Sequence, residues 1–203
     1  MEENSKKNKM NNLSNKANLK MFEEIIKYNF NDKSLLTKSL THTSASTEKV
    51  SSMERLEFLG DRILGLVISE ELFLKYPGLK EGELSKKYSF LVQRSTCAKV
   101  AENISLNKFI ILGKSELKNS QIKSSILSNI MEALIGSIFL DSDYSNTRKI
   151  VLNLWKEMIS SVEKANNLSN SKSDLQEKIL SFLDNNHFKL LHRINNDFYL
   201  KNF

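Results

Sequence analysis

Cysteine, proline and glycine are scarce in this sequence of 203 residues, which contains one cysteine, one proline and six glycines. The single cysteine, Cys97, excludes an intramolecular disulfide and a zinc site built from cysteines, and three histidines are too few for a histidine-rich metal centre. Any bound metal must therefore be held mainly by oxygen. No apolar run approaches the roughly 18 residues that a membrane span requires. These absences predict a mostly helical cytoplasmic protein with no membrane partner.

The net charge of +6 is unevenly distributed along the chain. Residues 1–20 carry five lysines and two glutamates in a stretch rich in Asn, Lys and Ser. Because this stretch has no apolar periodicity, it cannot bury enough surface to offset the entropy of ordering. We expect residues 1–20 to be a disordered tail. A solvated extension is the simpler interpretation, and weak non-specific contact with RNA is the alternative.

Apolar residues recur at helical spacing from Met21 onward, which predicts an all-α domain at 21–164. Its longest helix is expected to end at Tyr76, because Pro77-Gly78 cannot continue it. The segment THTSAST that precedes this helix is predicted to be a polar loop. The predicted helices cover 21–30, 35–40, 52–76, 81–103, 122–140 and 145–164.

Three acids share one face of the longest predicted helix. Glu54, Glu57 and Asp61 fall in a narrow wedge beside Gly65 when the sequence is placed on a helical wheel. Apolar residues occupy the opposite side, so the carboxylates lie at the edge of the core. Like charges at this spacing repel one another, and the repulsion grows as they are desolvated. A compensating cation is therefore expected nearby.

A second polar edge occurs in SSILSNIMEALIGSIFLD. Asn129 and Glu132 lie three residues apart with Gly136 between them on the wheel, among apolar neighbours. If the two helices cross at Gly65 and Gly136, an all-oxygen cluster of the type that Mg²⁺ or Mn²⁺ favours results. Either edge alone is more often a solvated helix face. The predicted cluster consists of Glu57, Asp61, Asn129 and Glu132.

The run ERLEFLGD at 54–61 resembles the signature of the ribonuclease III family, endonucleases that cut double-stranded RNA. Further blocks agree with that family in order and spacing over roughly residues 22 to 160. They are LTHTSAS, PGLKEGELSK, LVQRSTCAKVA, LGKSELKNS and ILSNIMEALIGSIFLDSD. The resemblance implies a helical catalytic domain that forms a homodimer, with a divalent metal and no small-molecule cofactor. It also implies products with 5′-phosphate and 3′-hydroxyl ends and a role in processing rRNA and mRNA precursors.

The resemblance also assigns roles to individual residues. Glu57 falls on the first metal ligand, Asp61 on the essential aspartate and Glu132 on the essential glutamate, which is also a ligand. Glu54 is a supporting acid. Asn129 occupies a ligand position that is commonly aspartate in the family. An amide oxygen preserves the ligand but removes one negative charge, and fewer charges generally weaken a Mg²⁺ site.

Phe58 is expected to lie at the dimer interface. On the wheel it falls outside the apolar sector, next to Gly65, Ser69 and Arg62. Exposed aromatic residues are enriched at interfaces, although a single tolerated surface phenylalanine is the alternative. The resemblance favours the interface, because the signature phenylalanine of the family packs into a socket on the partner.

The LVQRSTCAKVA block contains two further residues with possible functional roles, Cys97 and Arg94. Cys97 lies in an apolar helix, which favours core packing over a role as nucleophile. Arg94 is a surface residue or a contact for RNA phosphate. The RNA-binding residues are not predicted further.

The C-terminal region departs from the complete family pattern. Residues 165–173 have the composition of a linker, and SDLQEKILSFL after it resembles the opening helix of a double-stranded-RNA-binding domain. An alternating stretch from Phe188 to Ile194 predicts a strand, so 174–203 reads as a partial α+β domain. It lacks the lysine cluster with which such a domain grips phosphates.

Two functions follow from these observations. The favoured one is a metal-dependent endoribonuclease, because Glu57, Asp61 and Glu132 are all present. The alternative is a non-cleaving RNA-binding or ribosome-associated protein that keeps the same fold.

Overall fold

The computed structural model describes residues 18–47, 51–114, 116 and 122–163. The helices are α1 at 18–26, α2 at Lys33–Leu40, α3 at Ser52–Lys75, α4 at Glu81–Val92, α5 at Arg94–Asn103, α6 at Ser124–Asp141, α7 at Tyr144–Leu154 and α8 at 156–163. The described residues contain no β-strand, only an isolated parallel bridge between Thr41 and Ile111. The all-α fold predicted for 21–164 is therefore confirmed for the described residues.

The chain divides into two units, Met1–Ile159 and Ser160–Phe203, and of the second unit only 160–163 are described. The predicted linker at 165–173 and the partial domain at 174–203 lie outside the described residues. So do residues 1–17 of the predicted tail. Residues 18–20, which the composition places in that tail, are helical and belong to α1.

The two longest helices, α3 and α6, approach each other at a pair of glycines. A Cβ atom built on Gly60 would lie 1.8 Å from the carbonyl oxygen of Glu132, and one built on Gly136 would lie 2.3 Å from the carbonyl oxygen of Leu56. Because no side chain fits in this space, the backbones touch directly.

The predicted crossing at Gly65 is therefore wrong. Gly65 lies five residues beyond Gly60, which rotates it by about 140° around the helix axis and away from α6. A Cβ atom on Gly65 would meet the hydroxyl of Tyr88 on α4, at 2.8 Å. Gly60 lies between the apolar side of α3 and its acids, and it is the point of close approach to α6.

α6 is the central helix of the fold and packs against α2, α3, α5 and α7. Its 18 residues have a mean hydropathy of 1.2, and by length and composition it is the one helix in the described part of the chain that could cross a membrane. Within the fold, 61% of this helix is buried. Its apolar character is accounted for by its position in the core.

α4 and α5 form two helices where the periodicity predicts a single one. Gln93 is extended, with ψ at 153°, and this breaks the helix. The break leaves the last carbonyl groups of α4 without donors from the next helical turn. Side chains supply the donors: the hydroxyl of Thr96 bonds the Phe90 oxygen at 2.6 Å, and the indole N–H of Trp155 bonds the Leu91 oxygen at 2.9 Å.

The ends of the other helices agree with local signals. Ser51 caps α3, which ends at Lys75, just before Pro77. Asp143 caps α7 by accepting a hydrogen bond from the backbone N–H of Asn146 at 2.8 Å. The helix predicted at 145–164 is interrupted at the buried Trp155, which separates α7 from α8.

Candidate active site

Residues of α3 and α6 form the candidate site where these helices cross. On α3, Glu57 and Asp61 are half-buried at the edge of the core and Glu54 is exposed. On α6, Asn129 and Glu132 are also half-buried. The close approach of the backbones at Gly60 brings the two helices together beside these side chains.

Glu132 has the most strongly perturbed carboxyl group of the site. Burial is the main cause that raises its pKa from 4.5 to about 7, and the charges on Asp61 and then Glu57 raise it further. A hydrogen bond from the hydroxyl of Ser128 to Glu132 Oε1, at 3.2 Å, acts in the opposite direction. The acids of α3 and α6 therefore lie within electrostatic reach of one another across the helix crossing.

Glu57 is perturbed in the same direction. Burial raises its pKa, and the charge on Glu54 raises it further, ahead of a smaller contribution from Asp61. The positive charge of Arg94 at the start of α5 opposes both effects. Arg94 is thus one of the compensating cations that the repulsion among the acids predicts.

Asp61 and Glu54 have local partners within α3. The carboxylate of Asp61 pairs with the guanidinium of Arg62, and the Asp61 side chain is 42% exposed. Glu54 lies in the first turn, where its backbone N–H donates to the hydroxyl of the capping Ser51 at 3.4 Å. A negative charge in the first turn also interacts favourably with the helix dipole, so Glu54 stabilises α3 in addition to being part of the acidic cluster.

The donor atoms of this site suit a hard divalent cation. Among the residues described, no three His, Cys, Asp or Glu side chains are grouped closely enough to hold an ion by themselves. The predicted ligand set needs only two carboxylates, Glu57 and Glu132, together with the amide oxygen of Asn129. This fits Mg²⁺, which usually keeps several waters and binds through one or two carboxylates plus substrate phosphates. A cation would also relieve the repulsion that adds to burial in raising the pKa values of Glu57 and Glu132.

Sequence reasoning did not identify the neighbours of Glu132. Ser128 lies one turn before Glu132, and this spacing of four residues was the available signal. Cys97 is fully buried, as expected for core packing, and its side chain lies close to Glu132 and Ser128. Burial and the charge of Glu132 raise the pKa of the thiol to about 12, so Cys97 is not an activated nucleophile.

Phe58 is exposed on α3, as its position on the wheel predicts. Its side chain is 67% exposed, and the guanidinium carbon of Arg62 lies 5.5 Å from the ring centroid. A groove of about 650 Å³ opens beside the ring, and its apolar lining includes Leu35, Leu59 and Leu140. An exposed aromatic residue and an apolar groove are therefore adjacent on one face.

Comparison with known proteins gives consistent matches to one family. The family model described as Ribonuclease-III-like matches residues 32–158. The Ribonuclease 3 of Francisella philomiragia is 44% identical over 158 residues, which cover 77% of this chain and 67% of that protein. The Ribonuclease 3 of Pelagibacter ubique is 40% identical over 145 residues, covering 71% of this chain and 64% of that protein. The matched region thus spans about two thirds of these relatives.

Solved structures show the same relationship. The nuclease domain of ribonuclease III from Campylobacter jejuni is 40% identical, with a TM-score of 0.64, and the match covers 69% of this chain and 95% of that domain. A second structure of that domain concerns flexibility in a region involved in dimer formation. It is 41% identical, with a TM-score of 0.63, and the match covers 67% of this chain and 94% of that domain. Dicer from Pichia stipitis shares the fold, with a TM-score of 0.50. It is 20% identical, and the match covers 66% of this chain and 58% of that one. This chain therefore belongs to the ribonuclease III family of endoribonucleases.

Proposed function

We propose that this chain hydrolyses phosphodiester bonds of double-stranded RNA with Mg²⁺, for which Mn²⁺ can substitute. The observation that carries the proposal is that the glycine crossing brings Glu57 and Asp61 of α3 within electrostatic reach of Glu132 on α6. The products would carry 5′-phosphate and 3′-hydroxyl ends. The natural substrates would be duplex regions of rRNA and mRNA precursors.

The surroundings of each side chain at the site indicate its role in the proposed reaction. A bound divalent ion supplies an activated water and neutralises charge on the phosphate. Glu57, Asn129 and Glu132 would hold the ion through oxygen atoms. Glu132 must lose its proton to do so, since its pKa is about 7 without a cation. Asp61 is 42% exposed, so it can contact the attacking water or the phosphate.

The same proposal includes a homodimer. Phe58 and the neighbouring groove lie on one face, so two copies related by a twofold axis could each insert Phe58 into the groove of the other. Such an arrangement would bury the exposed ring of each copy and fill the apolar groove of the other. Two sites in one dimer would cut opposite strands and leave short 3′ overhangs.

The test is incubation of the full chain with a long RNA duplex and with one of its strands, each with and without Mg²⁺. We expect cleavage of the duplex only, and only with the metal. Asp61→Asn and Glu132→Gln should each lose cleavage while keeping the helical circular dichroism of the parent.

Asp32→Asn provides the matched control for Asp61→Asn. Asp32 is exposed and caps α2, and asparagine caps a helix as well as aspartate does. This variant should cleave normally. A parent chain that binds the duplex but leaves it intact at all Mg²⁺ concentrations would overturn the proposal and support the non-cleaving RNA-binding alternative.

A further inference from the structure

The hydroxyl of Ser128 bonds to Glu132 from a buried position. Ser128 is 1% exposed, and its Oγ donates to Glu132 Oε1 at 3.2 Å, one turn further along α6. A serine inside a helix commonly bonds to the backbone carbonyl four residues earlier. Here the hydroxyl bonds instead to a carboxylate at the candidate site.

A second helix encloses the same carboxyl group. Cys97 on α5 is fully buried and lies close to both Ser128 and Glu132. The thiol also lies 3.7 Å from the carbonyl oxygen of Val92, where α4 ends. Glu132 therefore accepts a hydrogen bond from its own helix, and the buried thiol of the neighbouring helix lies close by.

We propose that Ser128 is a positioning residue, whose buried hydroxyl holds the carboxylate of Glu132 in the orientation that binds the divalent ion. This inference rests on the proposed function, because it gives Glu132 the role of metal ligand. Groups that orient metal ligands commonly contribute 10-fold to 100-fold in metal affinity or activity. The contribution should be pronounced here, because Asn129 has no charge and leaves two carboxylates in the predicted ligand set.

Ser137 offers a matched control on the same helix. It is fully buried like Ser128, but its hydroxyl donates to the backbone oxygen of Leu134 at 2.7 Å. Ser128→Ala and Ser137→Ala therefore remove the same group from the same kind of environment. Only the first removes a bond to Glu132.

The first measurement is direct binding of Mn²⁺ to the full chain without RNA, by electron paramagnetic resonance or calorimetry. We expect Ser128→Ala to weaken the affinity for Mn²⁺ about 10-fold, and Ser137→Ala to change it less than about 2-fold. In cleavage assays Ser128→Ala should need more Mg²⁺ for half-maximal rate, and excess Mg²⁺ should restore most of the rate. Ser128→Cys keeps a weaker donor and should give an intermediate affinity.

The second measurement is a double-mutant cycle without metal. Urea unfolding of the parent, Ser128→Ala, Glu132→Ala and the double variant in a chelator should show non-additive shifts of the midpoint, since alanine at 132 removes the acceptor of the Ser128 hydrogen bond. The same cycle with Ser137→Ala should be additive. These readouts separate contact with Glu132 from a general effect on folding.

The outcomes distinguish failure of this inference from failure of the proposed function. Equal Mn²⁺ affinity for Ser128→Ala and the parent would overturn the positioning role, and so would additive midpoint shifts. If the parent binds Mn²⁺ and cuts duplex RNA while Ser128→Ala does both equally well, only this inference fails. If the parent neither binds Mn²⁺ nor cuts duplex RNA, the proposed function fails, and the role of Ser128 in metal binding fails with it. The double-mutant cycle then decides only whether Ser128 holds the side chain of Glu132.

Discussion

Gly60 on α3 lies directly against the backbone of Glu132 on α6. A Cβ atom on Gly60 would stand 1.8 Å from the Glu132 carbonyl oxygen, far inside van der Waals contact. The position of Glu132 at the candidate site thus requires a residue without a side chain, glycine, at position 60 of the facing helix. This relationship joins the packing of the core to the chemistry at its edge.

Gly60→Ala should separate α3 from α6. Because the new methyl group would meet rigid backbone, we expect the free energy of unfolding to fall by about 3 kcal/mol and cleavage to fall with it. Urea unfolding and a duplex cleavage assay would measure the two effects. Gly82→Ala is the control: it lies in α4 with no heavy atom within 4 Å of its Cβ, so it should leave stability unchanged or raise it by up to about 1 kcal/mol.

Glu132→Gln should stabilise the metal-free protein at pH 8. The pKa of Glu132 is about 7 in the folded protein against an ordinary value of 4.5, so between these values the folded state holds a proton that the unfolded chain has lost. Stability therefore falls as pH rises from about 4.5 to 7, and the neutral amide avoids this loss. Thermal unfolding in a chelator at pH 4 and pH 8 would measure it.

The difference between Glu132→Gln and the parent should be much smaller at pH 4, where Glu132 is protonated in the folded protein and mostly protonated in the unfolded chain. Glu24→Gln, a substitution of an exposed residue of α1, provides the comparison. An advantage of Glu132→Gln that is the same at both pH values would show that the carboxylate is not destabilised by its surroundings.

Asn129→Asp should tighten the binding of Mg²⁺. The substitution adds a charged oxygen at a position of the predicted ligand set, so half-maximal cleavage should occur at a Mg²⁺ concentration several-fold lower. A Mg²⁺ titration of the cleavage rate would show the shift. Asn153→Asp adds the same charge at an exposed position of α7 and should leave the titration unchanged. An unchanged or weaker Mg²⁺ requirement in Asn129→Asp would remove residue 129 from the ligand set.

Phe58→Ala should weaken self-association. The ring is 67% exposed beside an apolar groove, and aromatic anchors at interfaces commonly contribute 2 kcal/mol or more, so the dimer dissociation constant should rise at least about 30-fold. Sedimentation velocity over a range of concentrations would measure it. Phe73→Ala removes a ring of the same helix that is 71% exposed and does not line this groove. If both variants stay dimeric, the association does not depend on Phe58.

Much of this architecture could be predicted from local sequence signals. The helical spacing of apolar residues, together with Pro77, predicted α3 to within one residue at its end, and the same spacing predicted the exposure of Phe58. The break between α4 and α5 was missed. It occurs at Gln93, a residue with no intrinsic tendency to end a helix, and its cost is offset by Thr96 and by the distant Trp155.

The sequence by itself determined that three acids share one face of α3 and that Asn129 and Glu132 share one face of α6, because helical periodicity is a local property. Only the tertiary structure decided that α6 meets α3 at Gly60 rather than at Gly65, since that choice depends on how the two apolar faces meet. It also decided that Glu132 is desolvated beside Asp61, Ser128 and Cys97. A carboxyl group has an ordinary pKa in an isolated helix, and burial against other helices, distant in sequence, is what raises it.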